Sequence, residues 1–330
     1  MMKNKILLVI LMSAVLVYGF SQEEAQLEST EIVEEEWQSE VTEIAEEEPQ
    51  SESIEIAEEE PQVESSDLAQ KELQPESNIY FHAVGDIEVF TLVESKRSGG
   101  IPTTLIEIDQ ELLESYYPDG TSLHENNAFL VRDGNRVILI DTGFGTTLFD
   151  NLKELGVDPR EVEAVLITHL HGDHFGGLSR DGKALFPKAK VYVAHEELEY
   201  WTKTNANQGA IDALAPYQVI KFVPGLKLFP GITSIAAFGH TPGHTLFMVE
   251  SEGRKLLIVG DLLHVQKVQF PHPEISVTYD TNPVDAAAVR KNVLEYATKG
   301  RFPIGGMHLL YPAIGYVNAD GDGYAFIEGK

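Results

Sequence analysis

Cysteine is absent from the 330 residues. Its absence excludes disulfides, thiolate nucleophiles, iron–sulfur clusters and zinc sites built on sulfur. A metal bound by this chain would therefore be held by His, Asp or Glu. Basic residues are few: 24 Lys and Arg stand against 53 Asp and Glu, for a net charge of -29. Without a basic face to track a phosphate backbone, no nucleic-acid partner is expected. Long apolar runs are lacking too. The run at 6–17, even carried to Phe20, has about 15 residues, short of the roughly 20 needed to span a bilayer.

What is present begins with an address. Residues 1–21 hold two lysines, the apolar run, and small residues at Gly19 and Ser21. That is the order of a secretory signal peptide, with cleavage expected after Ser21 and export to the periplasm or beyond. With no cysteine at the end of the run, a lipoprotein anchor is excluded; an uncleaved N-terminal anchor is the alternative. Residues 22–78 carry 21 acidic side chains and one lysine. Within them a 12-residue unit occurs three times, as STEIVEEEWQSE, VTEIAEEEPQSE and SIEIAEEEPQVE. So dense a charge buries too little apolar surface to offset the entropy of ordering, and Pro49 and Pro61 interrupt any helix. A disordered acidic linker is expected there. It precedes a domain at 79–330 whose own net charge is -11.

The domain reads as mixed strand and helix. Apolar, β-branched runs flanked by Gly, Asp and Asn predict strands at 128–131, 137–140, 165–168, 191–194, 245–249 and 256–259. Leu148, Leu152 and Leu155 recur at helical spacing before Gly156. Asn282 can cap a second helix with Pro283 in its first position. Its apolar stripe is predicted as Ala286, Val289, Val293 and Ala297, with Gly300 after the last turn. Strands and helices mixed along the whole length indicate a layered α/β fold.

Four features carry chemistry, each after an apolar strand or at a turn. The first is Thr168-His169-Leu170-His171-Gly172-Asp173-His174. Strand alternation predicts His169 and His171 on one side, and Gly172 is expected to permit the turn that brings Asp173 and His174 to a second point. Three imidazoles and a carboxylate so close together point to a metal. The second is Phe238-Gly239-His240-Thr241-Pro242-Gly243-His244. Asp261, after Gly260, and His308, after Met307, gain weight only beside the other two.

Together HLHGDH, GHTPGH, the VGD ending at Asp261 and the distal His308 resemble the dinuclear metallo-β-lactamase fold hydrolases. The resemblance covers essentially all of 79–330 and implies an αββα sandwich of two mixed sheets between outer helices. It implies that His169, His171 and His240 hold one metal, that Asp173, His174 and His308 hold the other, and that Asp261 bridges them. Asp141, in Ile140-Asp141-Thr142-Gly143, would support the site from behind. His244 would stand behind the ligands rather than bind. The implied cofactors are two divalent ions, zinc first, with manganese, iron and cobalt also suited to His and Asp. A water shared by them has its pKa lowered from about 15.7 towards neutrality, giving hydroxide without a strong protein base.

The branch is narrowed by departures. Thiol-ligated lactamases need a cysteine, all-histidine lactamases lack the bridging carboxylate, flavodiiron proteins place a Glu where His171 stands, and nucleases act on a polyanion. The stretches 239–252, 260–265 and 307–317, with the tract through Glu197 to Trp201, resemble methyl parathion hydrolase and its lactonase relatives. In that branch an aromatic at the Trp201 position helps wall the substrate pocket; ordinary core is the other reading of Trp201. The loop at 204–215 is short for the branch. The expected reaction is hydrolysis of a small neutral lactone or carboxylic ester, with Asp173 and Asp261 as the catalytic carboxylates. Phosphotriester hydrolysis at the same site is the alternative, and a secreted metal-binding protein without catalysis is a third reading. Relatives of this branch are often homodimers.

Overall fold

Along one long strand the side chains alternate between two different apolar clusters. Ala128 and Leu130 are buried in one, Phe129 and Val131 in the other. A strand buried on both faces lies between two layers. The computed structural model of the chain, which describes residues 78–204 and 207–329, shows which layers these are. The signal peptide and almost all of the acidic linker expected at 1–78 lie outside the described residues.

The first sheet takes β1 (Ile79–Val84), β2 (Ile87–Gly100), β3 (Thr121–Asp133), β4 (Arg136–Ile140) and β5 (Ala164–Leu166) in sequence. A small hairpin, β6 (Ser179–Arg180) and β7 (Lys183–Ala184), intervenes before β8 (Lys190–Ala194) and β9 (Gln218–Phe222) complete it. Its first four strands are antiparallel, whereas β4, β5, β8 and β9 run parallel. The second sheet holds β10 (Lys227–Phe229), β11 (Ile232–Ala236), β12 (Thr245–Ser251), β13 (Arg254–Ile258), β14 (Ile304–Gly305), β15 (Ile314–Asp320) and β16 (Gly323–Glu328). Only β13 and β14 pair in parallel there.

Parallel neighbours need crossovers, and the helices supply them. In chain order they are α1 (Gln110–Tyr116), α2 (Leu148–Glu154), α3 (Gly172–Phe175), α4 (His195–Glu199), α5 (Gln208–Leu214), α6 (Gln266–Gln269) and α7 (Pro283–Gly300). Leu148 and Leu152 of α2 and Ala210 and Leu214 of α5 pack on the outer face of the first sheet. Leu294 and Ala297 of α7 pack on the outer face of the second. Between the sheets, Val89, Phe129 and Ile140 meet Phe247, Val249 and Ile258. The result is two mixed sheets flanked by helices, the layered α/β fold expected from the sequence.

The six expected strands are present, several with different bounds. The run at 128–131 is part of a 13-residue strand, and the one expected at 165–168 ends at Leu166. In α7, Asn282 caps and Pro283 opens the helix as expected. Its buried side is Ala286, Arg290, Leu294 and Ala297, so Val289 and Val293 flank the core. Gly300 is the last helical residue, and the left-handed position falls on Arg301 (φ 52°). The buried Arg290 guanidinium donates to the carbonyls of Leu262, Pro273 and Ile275. It thereby ties α7 to the loop that follows Asp261.

Candidate metal centre

The site forms where strands of both sheets end. After β4 the chain turns through Asp141, a fully buried residue in the left-handed region (φ 57°). The Asp141 carboxylate accepts from the Thr168 backbone N–H at 2.8 Å and from the Thr168 hydroxyl at 2.7 Å. That fixes the residue immediately before His169. His171, in extended conformation, is the N-cap of α3, so the backbone swings Asp173 and His174 away from His169 and His171. The turn does not require a glycine, contrary to the sequence expectation. Gly172 does not have a positive φ, and a Cβ there would meet open space. Gly260 is different: with φ +54° it places Asp261 after β13, and a Cβ on it would stand 2.5 Å from His244 Nε2.

His169 Nε2, His171 Nδ1 and His240 Nε2 lie 3.0, 3.1 and 3.2 Å from one another. Asp261 Oδ2 is 3.5 Å from His169 Nε2 and 3.4 Å from His240 Nε2. A tetrahedron of zinc–nitrogen bonds near 2.05 Å has edges of about 3.3 Å, so the four atoms have the spacing of a closed coordination face. Asp173, His174 and His308 form a second group. His308 Nε2 is 3.4 Å from Asp173 Oδ2 and 3.3 Å from Asp261 Oδ2, and His174 Nε2 is 3.1 Å from Asp261 Oδ1. All seven residues singled out from the motifs thus meet, with Asp261 between the two groups.

Hydrogen bonds on the outer side of the rings decide what faces inward. His174 Nδ1 donates to Asp141 (2.7 Å), His240 Nδ1 to Asp280 (2.8 Å) and His308 Nδ1 to the Glu125 carbonyl (3.1 Å). His169 Nδ1 donates to the Thr168 hydroxyl (3.0 Å), which itself donates to Asp141. Asp141 therefore orients one imidazole of each group. With these Nδ1 atoms protonated, it is the Nε2 atoms that converge, where a cation can displace whatever second proton they carry. His174 Nε2 and Asp261 Oδ1 are buried yet hydrogen-bond to no described residue. Converging imidazole nitrogens beside a carboxylate oxygen without a donor are the chemistry of a cation site, and a divalent ion fits the donor set.

The electrostatics agree. Burial alone would raise Asp261, but His174 and His308 foremost hold it well below the ordinary carboxylate range. Asp173 is likewise held low, burial being outweighed by His174 and His308. Burial drives His169 well below its usual value and His171 and His244 down to about 3. His308 goes the other way: although burial disfavours its charge, Asp261 and Asp173 lift it to about 10. His244 takes no inward position. Its Nδ1 donates to the Ala237 carbonyl, and its Nε2 accepts from the Asp261 backbone N–H.

Three residues beyond the sequence expectations join the site. His264 Nε2 is 3.1 Å from Asp261 Oδ2, and its ring stacks on His308. Asp280 anchors His240. Glu197 accepts from the backbone beside His169 and His171. The sequence holds a faint trace of the first, three residues after Asp261, and for the last only the tract through Glu197 to Trp201. Two adjoining cavities open beside the site. The inner, about 410 Å³, borders Asp173, Asp261 and His308, with Arg97, Phe144 and Tyr279 also in its wall. The outer, about 370 Å³, is lined by Tyr117, Pro118, Leu123 and Lys267 among others. His124, His264, Val265 and His308 border both. Trp201 is not among the residues bordering these two cavities. It stands against His171, ring centroids 5.3 Å apart.

The sequence model of the Metallo-beta-lactamase superfamily matches residues 122–303, and the chain belongs to that superfamily. Among solved structures it is similar to hydrolase AbOPH of the beta lactamase superfamily, 30% identical with a TM-score of 0.71, covering 78% of this chain and 100% of that one. It shares its fold with AidC, a dizinc quorum-quenching lactonase, at 23% identity and a TM-score of 0.71, covering 77% and 98% of the two chains. A curated relative, ribonuclease TTHA0252 of Thermus thermophilus, is 30% identical over 162 residues, 45% of this chain and 38% of the relative. The chain spans less than half the length of this relative and of a hydroxyacylglutathione hydrolase of Tolumonas auensis that it also matches.

Proposed function

We propose that the protein is a dinuclear metal-dependent hydrolase of lactones or carboxylic esters. The observation that carries this reading is Asp261, which lies between both groups: its Oδ2 is near His169, His240 and His308, and its Oδ1 is near His174. His169, His171 and His240 would hold one divalent ion and Asp173, His174 and His308 the other, with Asp261 shared. Ions bound there supply an activated water and an electrophilic anchor for the carbonyl oxygen.

The chain's own residues do the rest. Asp261 and Asp173 orient the attacking water by accepting its hydrogens. Asp173 borders the inner cavity, and its Oδ1 is the atom available to take the proton, since Oδ2 accepts from Asn126. Phe144 and Tyr279, both exposed at the cavity wall, exclude water from the apolar part of a substrate. The outer cavity offers room for a second arm of the ester. The signal-like order of residues 1–21 supports export of this hydrolase.

Phosphotriester hydrolysis is the second reading. Arg97, an exposed cation in the inner cavity wall, favours it, because a phosphoryl centre gathers negative charge on several oxygens. The test is metal content by plasma mass spectrometry on the purified protein, followed by turnover of a lactone, an aryl ester and an aryl phosphotriester. Two metals per chain with faster ester or lactone turnover is the expected result. Faster phosphotriester turnover would favour the second reading. One metal or none in folded protein would overturn the dinuclear assignment.

A further inference from the structure

Glu197 is fully buried in α4, borders no substrate cavity described above, and belongs to neither ligand group. Such a carboxylate is costly to bury unless every lone pair is used. Its Oε1 accepts from the Leu170 backbone N–H at 2.7 Å and from Trp201 Nε1 at 2.6 Å. Its Oε2 accepts from the Thr241 hydroxyl at 2.6 Å and from the Gly243 backbone N–H at 2.9 Å. All four donors are neutral, so Coulomb attraction to a cation does not explain the residue.

The identity of the donors does. Leu170 lies between His169 and His171, after a strand of the first sheet. Thr241 and Gly243 bracket the turn after His240, in a hairpin of the second sheet. One carboxylate therefore grips the two loops that supply the first ligand group, each from a different sheet. The contact is close enough to dictate sequence: a Cβ on Gly243 would stand 2.3 Å from the Glu197 backbone nitrogen. The fourth donor extends the grip. The Trp201 indole shares Oε1 with Leu170 and lies edge-on to His171 at 72°.

We propose that Glu197 is a positioning residue that sets the separation of the His169–His171 and His240 loops and keys Trp201 to them. It rests on the reading that this first group holds a metal. The four donors need two acceptor lone pairs on each side, which a carboxylate offers and an amide cannot. In Glu197→Gln the carbonyl oxygen can keep Leu170 and Trp201, while the NH2 meets the Gly243 N–H and leaves it unpaired. In Glu197→Ala both sides are lost.

The test uses the full chain in a Trp37→Phe background, which leaves Trp201 as its one indole. Zinc affinity is read by competition with a chromophoric chelator, and the indole by its emission maximum. Glu197→Gln is expected to lower affinity for the first zinc about tenfold with emission unmoved, and Glu197→Ala to lower it about a hundredfold with emission shifted to the red. Thr241→Val, which removes one donor on the Oε2 side, should fall between wild type and Glu197→Gln. If folded Glu197→Gln and Glu197→Ala bind zinc like the parent with unshifted emission, the inference is overturned, even where their melting temperatures drop. Should Glu197→Ala fail to fold, Glu197→Gln and Thr241→Val decide: parental affinity in both overturns it. A parent that binds no zinc sinks the proposed function instead, a separate and visible outcome.

Discussion

The two ligand groups differ more than their shared Asp261 suggests. In the first, His169 and His240 are 0% and 3% exposed, and Asp280, Thr168 and Glu197 brace the residues or their loops. In the second, the side chains of Asp173 and His308 are 24% and 18% exposed and border the inner cavity. Their protonation differs as well. Burial keeps His169 and His171 as neutral imidazoles near neutral pH, whereas Asp261 and Asp173 hold a second proton on His308. Of the three imidazoles in the first group only His171 reaches the inner cavity and only His240 has a raised pKa, so that group is largely neutral and pre-formed. In the second both imidazoles are raised, and Asp173 and His308 face the cavity. The first should therefore bind metal more tightly, and the second should be the one that substrate and pH disturb.

The largest effect expected is from Asp261→Ala, which removes the one residue common to both groups. Turnover should fall about 10³-fold or more and metal content below two per chain; an active two-metal variant would erase the comparison altogether. His308→Ala should sharpen it, leaving one metal per chain and costing about 10²-fold in rate. Retention of both metals would show that another residue, such as His264, fills the position.

Acidity offers a third way in. His308 has a folded value raised to about 10 from 6.5, so the metal must displace its proton. Affinity for the second metal should rise at least about tenfold per pH unit between 7 and 10, because His174 is raised as well, with a flatter profile for the first, where His240 alone is raised. In the metal-free protein the same shift stabilises the fold fully below about 6.5 and is lost as pH climbs through 10. Its melting temperature should accordingly fall over that range, and a flat profile would contradict the charge assigned to His308.

Smaller effects test the bracing. Asp280→Asn should weaken the first metal about tenfold while sparing the second, as read by stepwise chelator competition. Tyr279→Ala should raise KM by only about threefold with metal content unchanged, because the ring touches the cavity and not the ligands.

Much of this was legible in the chain. His169, His171, Asp173 and His174 sit within six residues, so their proximity is a matter of local backbone geometry that any reading of the motif can supply. The layered α/β fold was equally open to inspection, because β-branched apolar runs alternate with helical stripes. The 14-residue β2 was not. It carries the buried Glu94 at a register shift and an exposed polar second half, so its pattern does not read as a strand. The carboxylate of Glu94 is spent on the N-terminal turn of α2, where it accepts from the backbone N–H groups of Thr146, Thr147 and Leu148. The buried Arg290 hid in the same way, as a cation in what looks like the polar side of a helix.

The sequence by itself determined the donor types, their short-range spacing and the exclusion of sulfur chemistry, since these follow from composition and from the fixed periods of strand and helix. Only the tertiary structure decided which acids and rings brace the ligands. Asp280 reaches His240 across 40 residues, and Glu197 reaches Thr241 across 44. Such contacts depend on how two sheets stack and where their loops return, and no local period encodes that.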